Sequence, residues 1–262
     1  MIAGTRAVAR MLRTMTLRRT LAALLAGAAL LASPLAFGVD ERATVTLGTT
    51  PVQLPVLPGF AGPSATPAPL RDLMSRAMPP SNRFLAVMPT QDFVDRRAAG
   101  EMVPMSRYLL VQTVRSHEQN GISRADFERL KTSIRQQDET LLRKAREAAQ
   151  ASLDSASKDL GKLNDEPSLA LRMGEAKALG VFDETPDSIS FADIQSNTAT
   201  DSSGTRTLKQ AAATSIVLLG DKTVGVSVYS VYQSPADVDW VKQQAIAWRK
   251  QYLSINAAAA TR

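Results

Sequence analysis

The side chains that perform most protein chemistry are scarce in this 262-residue chain, which has one histidine, His117, and no cysteine. An imidazole titrates near neutrality and makes the usual general base, so a Ser-His-acid arrangement would have to be built on His117. His117 follows the apolar stretch Tyr108–Val114 and precedes Glu118, which reads as an exposed imidazole at the edge of a loop. No G-x-S-x-G turn supplies a raised serine. Ser155-Ala156-Ser157-Lys158 spells S-x-x-K, but no K-T-G accompanies it, and Lys222-Thr223-Val224 is the nearest approach. Three common residues in a Ser/Ala-rich stretch match by chance, so this is a decoy. The carboxylate pairs Asp165/Glu166 and Asp183/Glu184 have the chemistry of a glycosidase acid and base, yet neighbours on loops fix no separation. Zinc needs several His or Cys ligands, and Asp201–Thr205 offers calcium a single carboxylate. Gly220-Asp221-Lys222-Thr223 lacks the upstream glycine of a phosphate loop. No metal and no cofactor is expected. Tyr229, with His117, is the candidate contact residue for a ligand or partner, because Val224, Val226 and Val228 take the opposite strand face from Tyr229.

Something must position or deliver these residues, and the N-terminus bears on delivery. Five arginines, Arg6, Arg10, Arg13, Arg18 and Arg19, precede a 12-residue small-apolar run, Leu21–Ala32, which Ser33-Pro34 breaks. Ala36-Phe37-Gly38 then places small residues where a signal peptidase reads them, so cleavage is expected between Gly38 and Val39. The run falls short of the roughly 20 residues of a comfortable membrane span; an uncleaved anchor is the alternative. The long basic region also leaves Met11 or Met15 as possible starts, and Arg18-Arg19-Thr20-Leu21 partly matches a twin-arginine signal. No acidic residue precedes Asp40, so cleavage leaves 26 basic residues against 25 acidic ones. Five of the six units of formal positive charge therefore belong to the address. No basic stripe remains to neutralise phosphates, and a nucleic-acid partner is not expected.

Val45–Leu47 and Val52–Leu54 flank Gly48-Thr49-Thr50-Pro51 as a first hairpin. Residues 55–69 carry five prolines and predict a loop. Arg83–Met88 and Tyr108–Arg115 read as strands, the second apolar on both faces and therefore central, with a short helix or turn over Thr90–Gly100 between them. Phe127, Leu130, Ile134, Leu141, Ala145, Ala148, Ala156, Leu160 and Leu163 keep one face of a 3.6-residue period, predicting a long helix from the N-cap Ser123 to Leu163, whole or split. Two β-type pieces surround a turn at Asp183–Asp187, and Thr198–Thr207 reads as a polar loop. A strong hairpin then turns at Gly220-Asp221-Lys222. Ser234-Pro235-Ala236-Asp237 starts a closing helix that carries Val241, Ala245, Trp248, Tyr252 and Ile255 on one face.

The order of strands, long helix, strands and closing helix indicates an α+β fold, a mostly antiparallel sheet covered by a long central helix and a C-terminal helix. The expected organisation is a signal peptide over 1–38, a single domain over 39–256 and a frayed tail over 257–262. The segment "VGVSVYSVYQSPADVDWVKQQAIAWRKQYLSIN" resembles an uncharacterised exported bacterial protein family whose members close with strands and a Trp-bearing helix. More distantly, residues 176–256 resemble the Mog1/PsbP-like α+β sandwich, which implies a binding or assembly role without a shared active site. The resulting expectation is a periplasmic or secreted, non-catalytic module that binds an envelope protein or small ligand and meets the membrane only through its signal. A hydrolase using His117 or a carboxylate pair, and a membrane-tethered envelope factor, are the alternatives.

Overall fold

A computed structural model describes residues 43–101, 103–136, 147–158, 170–202 and 204–257. The fold is α+β, with six antiparallel strands in one sheet. The first hairpin forms as expected, β1 (Ala43–Leu47) pairing with β2 (Thr50–Leu54) in a small sheet of its own. The proline-rich stretch is more structured than the expected loop. It carries a 3-10 turn at Pro63–Ala65 and leads into α1 (Ala68–Arg76). Leu57, Phe60, Ala61 and Thr66 are buried there, and Ala61 N–H donates to Pro89 O at 2.9 Å. Proline withholds donors, so side chains and a few backbone bonds hold this stretch against β3 instead of a ladder.

Next come β3 (Asn82–Pro89), α2 (Gln91–Ala98), β4 (Arg107–Val114), α3 (Arg115–Asn120) and α4 (Arg124–Arg135). A further helical segment, α5, spans 147–158. The chain then runs through β5 (Ala170–Thr185), β6 (Ser188–Asp201), β7 (Gly204–Leu219), β8 (Lys222–Val231) and α6 (Pro235–Ile255). The strand order is β3-β4-β8-β7-β6-β5. As predicted, β4 is internal, pairing with β3 on one side and β8 on the other.

The long stripe takes the split form among its described residues, since α4 ends at Arg135 with Gln136 as its C-cap; Leu141, Ala145, Leu160 and Leu163 lie outside the described residues. One expectation needs correction. The polar stretch Thr198–Thr207 is not a loop. β6 and β7 stay in register through Thr198↔Thr207, Ala199↔Arg206, Thr200↔Thr205 and Asp201↔Gly204. Threonine suits an extended backbone, and its cross-strand hydroxyls meet, Thr200 Oγ1 lying 3.0 Å from Thr205 Oγ1.

Strand alternation divides the sheet into two faces. The first takes Leu109, Val111, Ala211, Ala213, Val224, Val226 and Val228, all buried in one core with Val241, Ala245, Trp248 and Tyr252 of α6. Trp248 and Tyr252 are 0 % exposed, as the helical spacing predicted. Burying a side chain of that size contributes about 1.5–3 kcal/mol. The start of α6 is secured as the Ser-Pro-Ala-Asp signal implied: the Asp237 carboxylate accepts the N–H groups of Gln233 and Ser234 at 2.9 and 3.0 Å. Burial alone would raise the Asp237 carboxyl, but these bonds and Arg107 hold it below the usual range.

The second face carries a smaller core of Ala61, Leu70, Val87, Phe93, Val94, Met105, Tyr108 and Leu110 beneath α1 and α2. The α4 helix holds the far side of this face at the end of β5 through an ion pair from Lys131 to Glu184 at 3.3 Å. No helix among the described residues is long and apolar enough to cross a membrane.

Candidate functional site

His117 sits within α3, half-buried, and not on the exposed loop edge that its sequence position suggested. The helix begins directly after β4 and stops at Gly121, whose φ of 75° favours glycine. A Cβ there would also come 2.4 Å from Asp221 Oδ2. The backbone then turns so that Ile122 N–H donates to Asp221 O at 2.7 Å. Ser123 caps α4 as predicted: its Oγ accepts Asp126 N–H at 3.1 Å and donates to Asp126 Oδ2 at 2.5 Å.

These turns bring the α3–α4 pair against the tip of the β7–β8 hairpin. His117 Nδ1 lies 2.9 Å from Thr223 Oγ1. Burial lowers the His117 pKa and the nearby Asp126 carboxylate opposes that only in part, so the ring is neutral at pH 7. The Asp126 carboxyl is itself held below its usual range, first by the Ser123 hydroxyl and then by Arg129. Around the ring is an open depression of about 720 Å³ lined by Ser116, Asn120, Ser123, Asp126 and Asp221 among others.

The chemistry of this arrangement is restrained. The hydroxyl that meets the imidazole belongs to Thr223, which is 2 % exposed and out of a substrate's reach. Ser123 is committed to Asp126, and Asp221 forms an ion pair with Lys222 at 3.2 Å. Thr223 and Asp221 were not identifiable from sequence as neighbours of His117, because 106 residues separate His117 from Thr223.

The other candidates fall apart geometrically. Asp183 and Glu184 are consecutive strand residues and therefore point to opposite faces of β5. Asp183 meets Arg249 of α6 at 3.2 Å on the first face, whereas Glu184 meets Lys131 and Arg135 of α4 on the second. That pair cannot act on one bond. Asp165/Glu166 lie outside the described residues, as do Gly38 and Val39. Ser155 of the S-x-x-K stretch donates to Ala151 O within its own helix at 3.2 Å. Among the described residues, no cluster of three His, Asp or Glu converges as a metal site.

Tyr229 lies on the second face, opposite Val226 and Val228 as the alternation required. It is not an open platform, being half-buried and stacked on Tyr108 at 4.8 Å between ring centroids. Burial pushes its hydroxyl up to about 12. The Tyr108 hydroxyl accepts from Gln210 Nε2 at 3.4 Å, fixing the pair at the margin of the α1–α2 core. From there the sheet opens out. Two cross-strand rows run Tyr108–Tyr229–Ala212–Asp193–Ala178 and Leu110–Ser227–Thr214–Phe191–Val181. Phe191, Asp193, Thr214, Ile216 and Val181 are half-buried on this face, as Tyr229 is. Thr214 and Ser227 share a 2.9 Å hydroxyl contact.

Comparison with known proteins adds little. No family model matches the chain, and no curated protein does. Two solved structures are similar to it, both of Mog1. An E65A mutant of Mog1 is 13% identical over 81% of this chain and 95% of its own, with a TM-score of 0.32. The Saccharomyces cerevisiae Ran-binding protein Mog1p is 12% identical over 84% and 94%, with a TM-score of 0.30. The chain bears a weak fold resemblance to Mog1. At those scores neither a binding partner nor a functional residue carries across.

Proposed function

We propose that this protein is an exported, non-catalytic binding or assembly module of the cell envelope, and that the second sheet face is its contact surface. The observation that carries the reading is the asymmetry of the sheet. The first face is closed by α6 and the β1–β2 hairpin, with Val224, Val226 and Val228 all 0 % exposed. On the second face Ile189 and Ala212 are buried, but Phe191, Thr214 and Ile216 stay half-buried in its middle rows. A sheet with one sealed face and one partly accessible face of mixed aromatic, aliphatic and hydroxyl groups presents a rigid contact surface. The arginine-led apolar run and its small-residue end support export. The restrained chemistry around His117 supports binding over turnover.

The test is capture from an envelope fraction with wild-type protein and with Ile216→Lys, alongside a thermal-shift screen for small ligands. Ile216 is half-buried, so a long charged side chain can reach solvent and the melting temperature is expected to stay within about 3 °C. Wild-type protein is expected to retain a partner or ligand that Ile216→Lys loses, while His117→Ala retains it. Equal capture by wild type and Ile216→Lys would overturn the choice of face, and loss with His117→Ala alone would point to the α3–α4 depression.

A further inference from the structure

The β1–β2 hairpin stands apart from the main ladder. Its two five-residue strands pair only with each other, and a two-stranded hairpin is marginal on its own in water. Four side chains from distant parts of the chain hold its backbone and that of Pro55, which follows it. The Asn256 amide is the most complete of these clips: Oδ1 accepts Gln53 N–H and Nδ2 donates to Gln53 O, both at 2.8 Å. Asn256 is itself fixed to α6 by a 2.9 Å bond from Nδ2 to Tyr252 O. Trp248 Nε1 donates to Pro55 O at 3.1 Å. At the other end Gly48 N–H donates to Glu118 Oε1 at 3.2 Å, and the Arg83 guanidinium donates to Thr46 O. The apolar side of the hairpin, Leu47, Val52 and Leu54, is at most 1 % exposed in the first-face core.

We infer that the hairpin is a latch that closes last in folding and opens first from the native state. Its seat does not exist until residues 248–256 are in place, 193 and 203 residues downstream of the backbone groups they hold. Contacts that distant in sequence form late, because the loop between them must be ordered before they contribute. Lacking ladder bonds to the main sheet, the hairpin is a contiguous unit that can open locally without breaking that sheet. Opening exposes the apolar residues on both sides of the seat while β3 to β8 keep their register. A consequence, resting on the export reading above, is that a chain threaded N-terminus first cannot complete its core until its last helix has emerged.

Native-state hydrogen exchange on the purified protein tests the latch independently of export. The β1–β2 amides are expected to exchange at least tenfold faster than those of β7 and β8. Asn256→Ala removes both bonds to Gln53 and is expected to speed β1–β2 exchange by a further tenfold or more, leaving β7–β8 unchanged. Trp248→Phe keeps an aromatic ring but loses the Nε1 donor, and is expected to act in the same direction to a smaller extent. Exchange of β1–β2 in step with β7–β8, in wild type or in either variant, would overturn the inference.

Discussion

At the scale of single residues, the neighbours Asp183 and Glu184 show how backbone geometry decides chemistry. Strand alternation sends each carboxylate to a different helix, so substitution of each has a different cost. Arg249 is 4 % exposed and depends on Asp183 and Ser188. Asp183→Asn leaves that guanidinium buried without a countercharge, and the variant is expected to lose about 2–3 kcal/mol of stability, below the cost of a fully buried pair because the Asp183 side chain keeps 24% of its exposure. Glu184→Gln costs less than about 1 kcal/mol, since Lys131 retains Glu128 at 2.9 Å and the Thr185 carbonyl. Urea denaturation of the two variants checks the contrast, and equal losses would contradict the opposed faces. The sequence held this distinction only in part. It showed two adjacent carboxylates near a turn. Whether β5 continued through Thr185 or turned at Asp183 depended on the register with β6, which no local signal encodes.

Among the elements, those with strong local signals formed as expected. The closing helix has its Ser-Pro-Ala-Asp start and its buried stripe, and the Gly220-Asp221 turn supplies the positive φ of 60° at Gly220 that a tight hairpin takes. Misreadings came where tertiary contacts outweighed composition, as in the Thr-rich hairpin at Thr198–Thr207 and the packed proline stretch. The α3–α4 pair belongs to this second kind, because its seat on the β7–β8 tip joins residues as far apart as His117 and Thr223, 106 positions. His117 makes that seat sensitive to acid. Its folded-state pKa lies below the ordinary value of about 6.5, so the unfolded chain binds the proton more readily. The contribution is therefore fully present above about pH 6.5 and declines as the pH falls from there through the folded value. The depressed Asp126 carboxyl gives up its own contribution at lower pH, below the usual carboxylate range. Stability measured by denaturation is expected to slope downward below about pH 6.5 in the wild type and to flatten there in His117→Gln. An unchanged slope would place the titrating group elsewhere.

For the whole molecule, the decisive quantity is charge. With five arginines ahead of Asp40 and no acidic residue among them, five of the six excess positive charges lie at the N-terminus. Loss of the first 38 residues leaves a body with 26 basic and 25 acidic groups, which has no net field to attract a polyanion at physiological salt. A chain that keeps them carries both a basic cluster and an apolar run, and both would have to be accommodated at a membrane or by a partner. The two states differ in mass and in chromatography. Intact-mass measurement of protein recovered from the envelope is expected to give a species beginning at Val39, and that species is expected to pass through a cation exchanger at pH 7.5 and low salt. Recovery of the full 262 residues would assign the basic segment to the working protein. An anionic surface would then replace the second sheet face as the first partner to test.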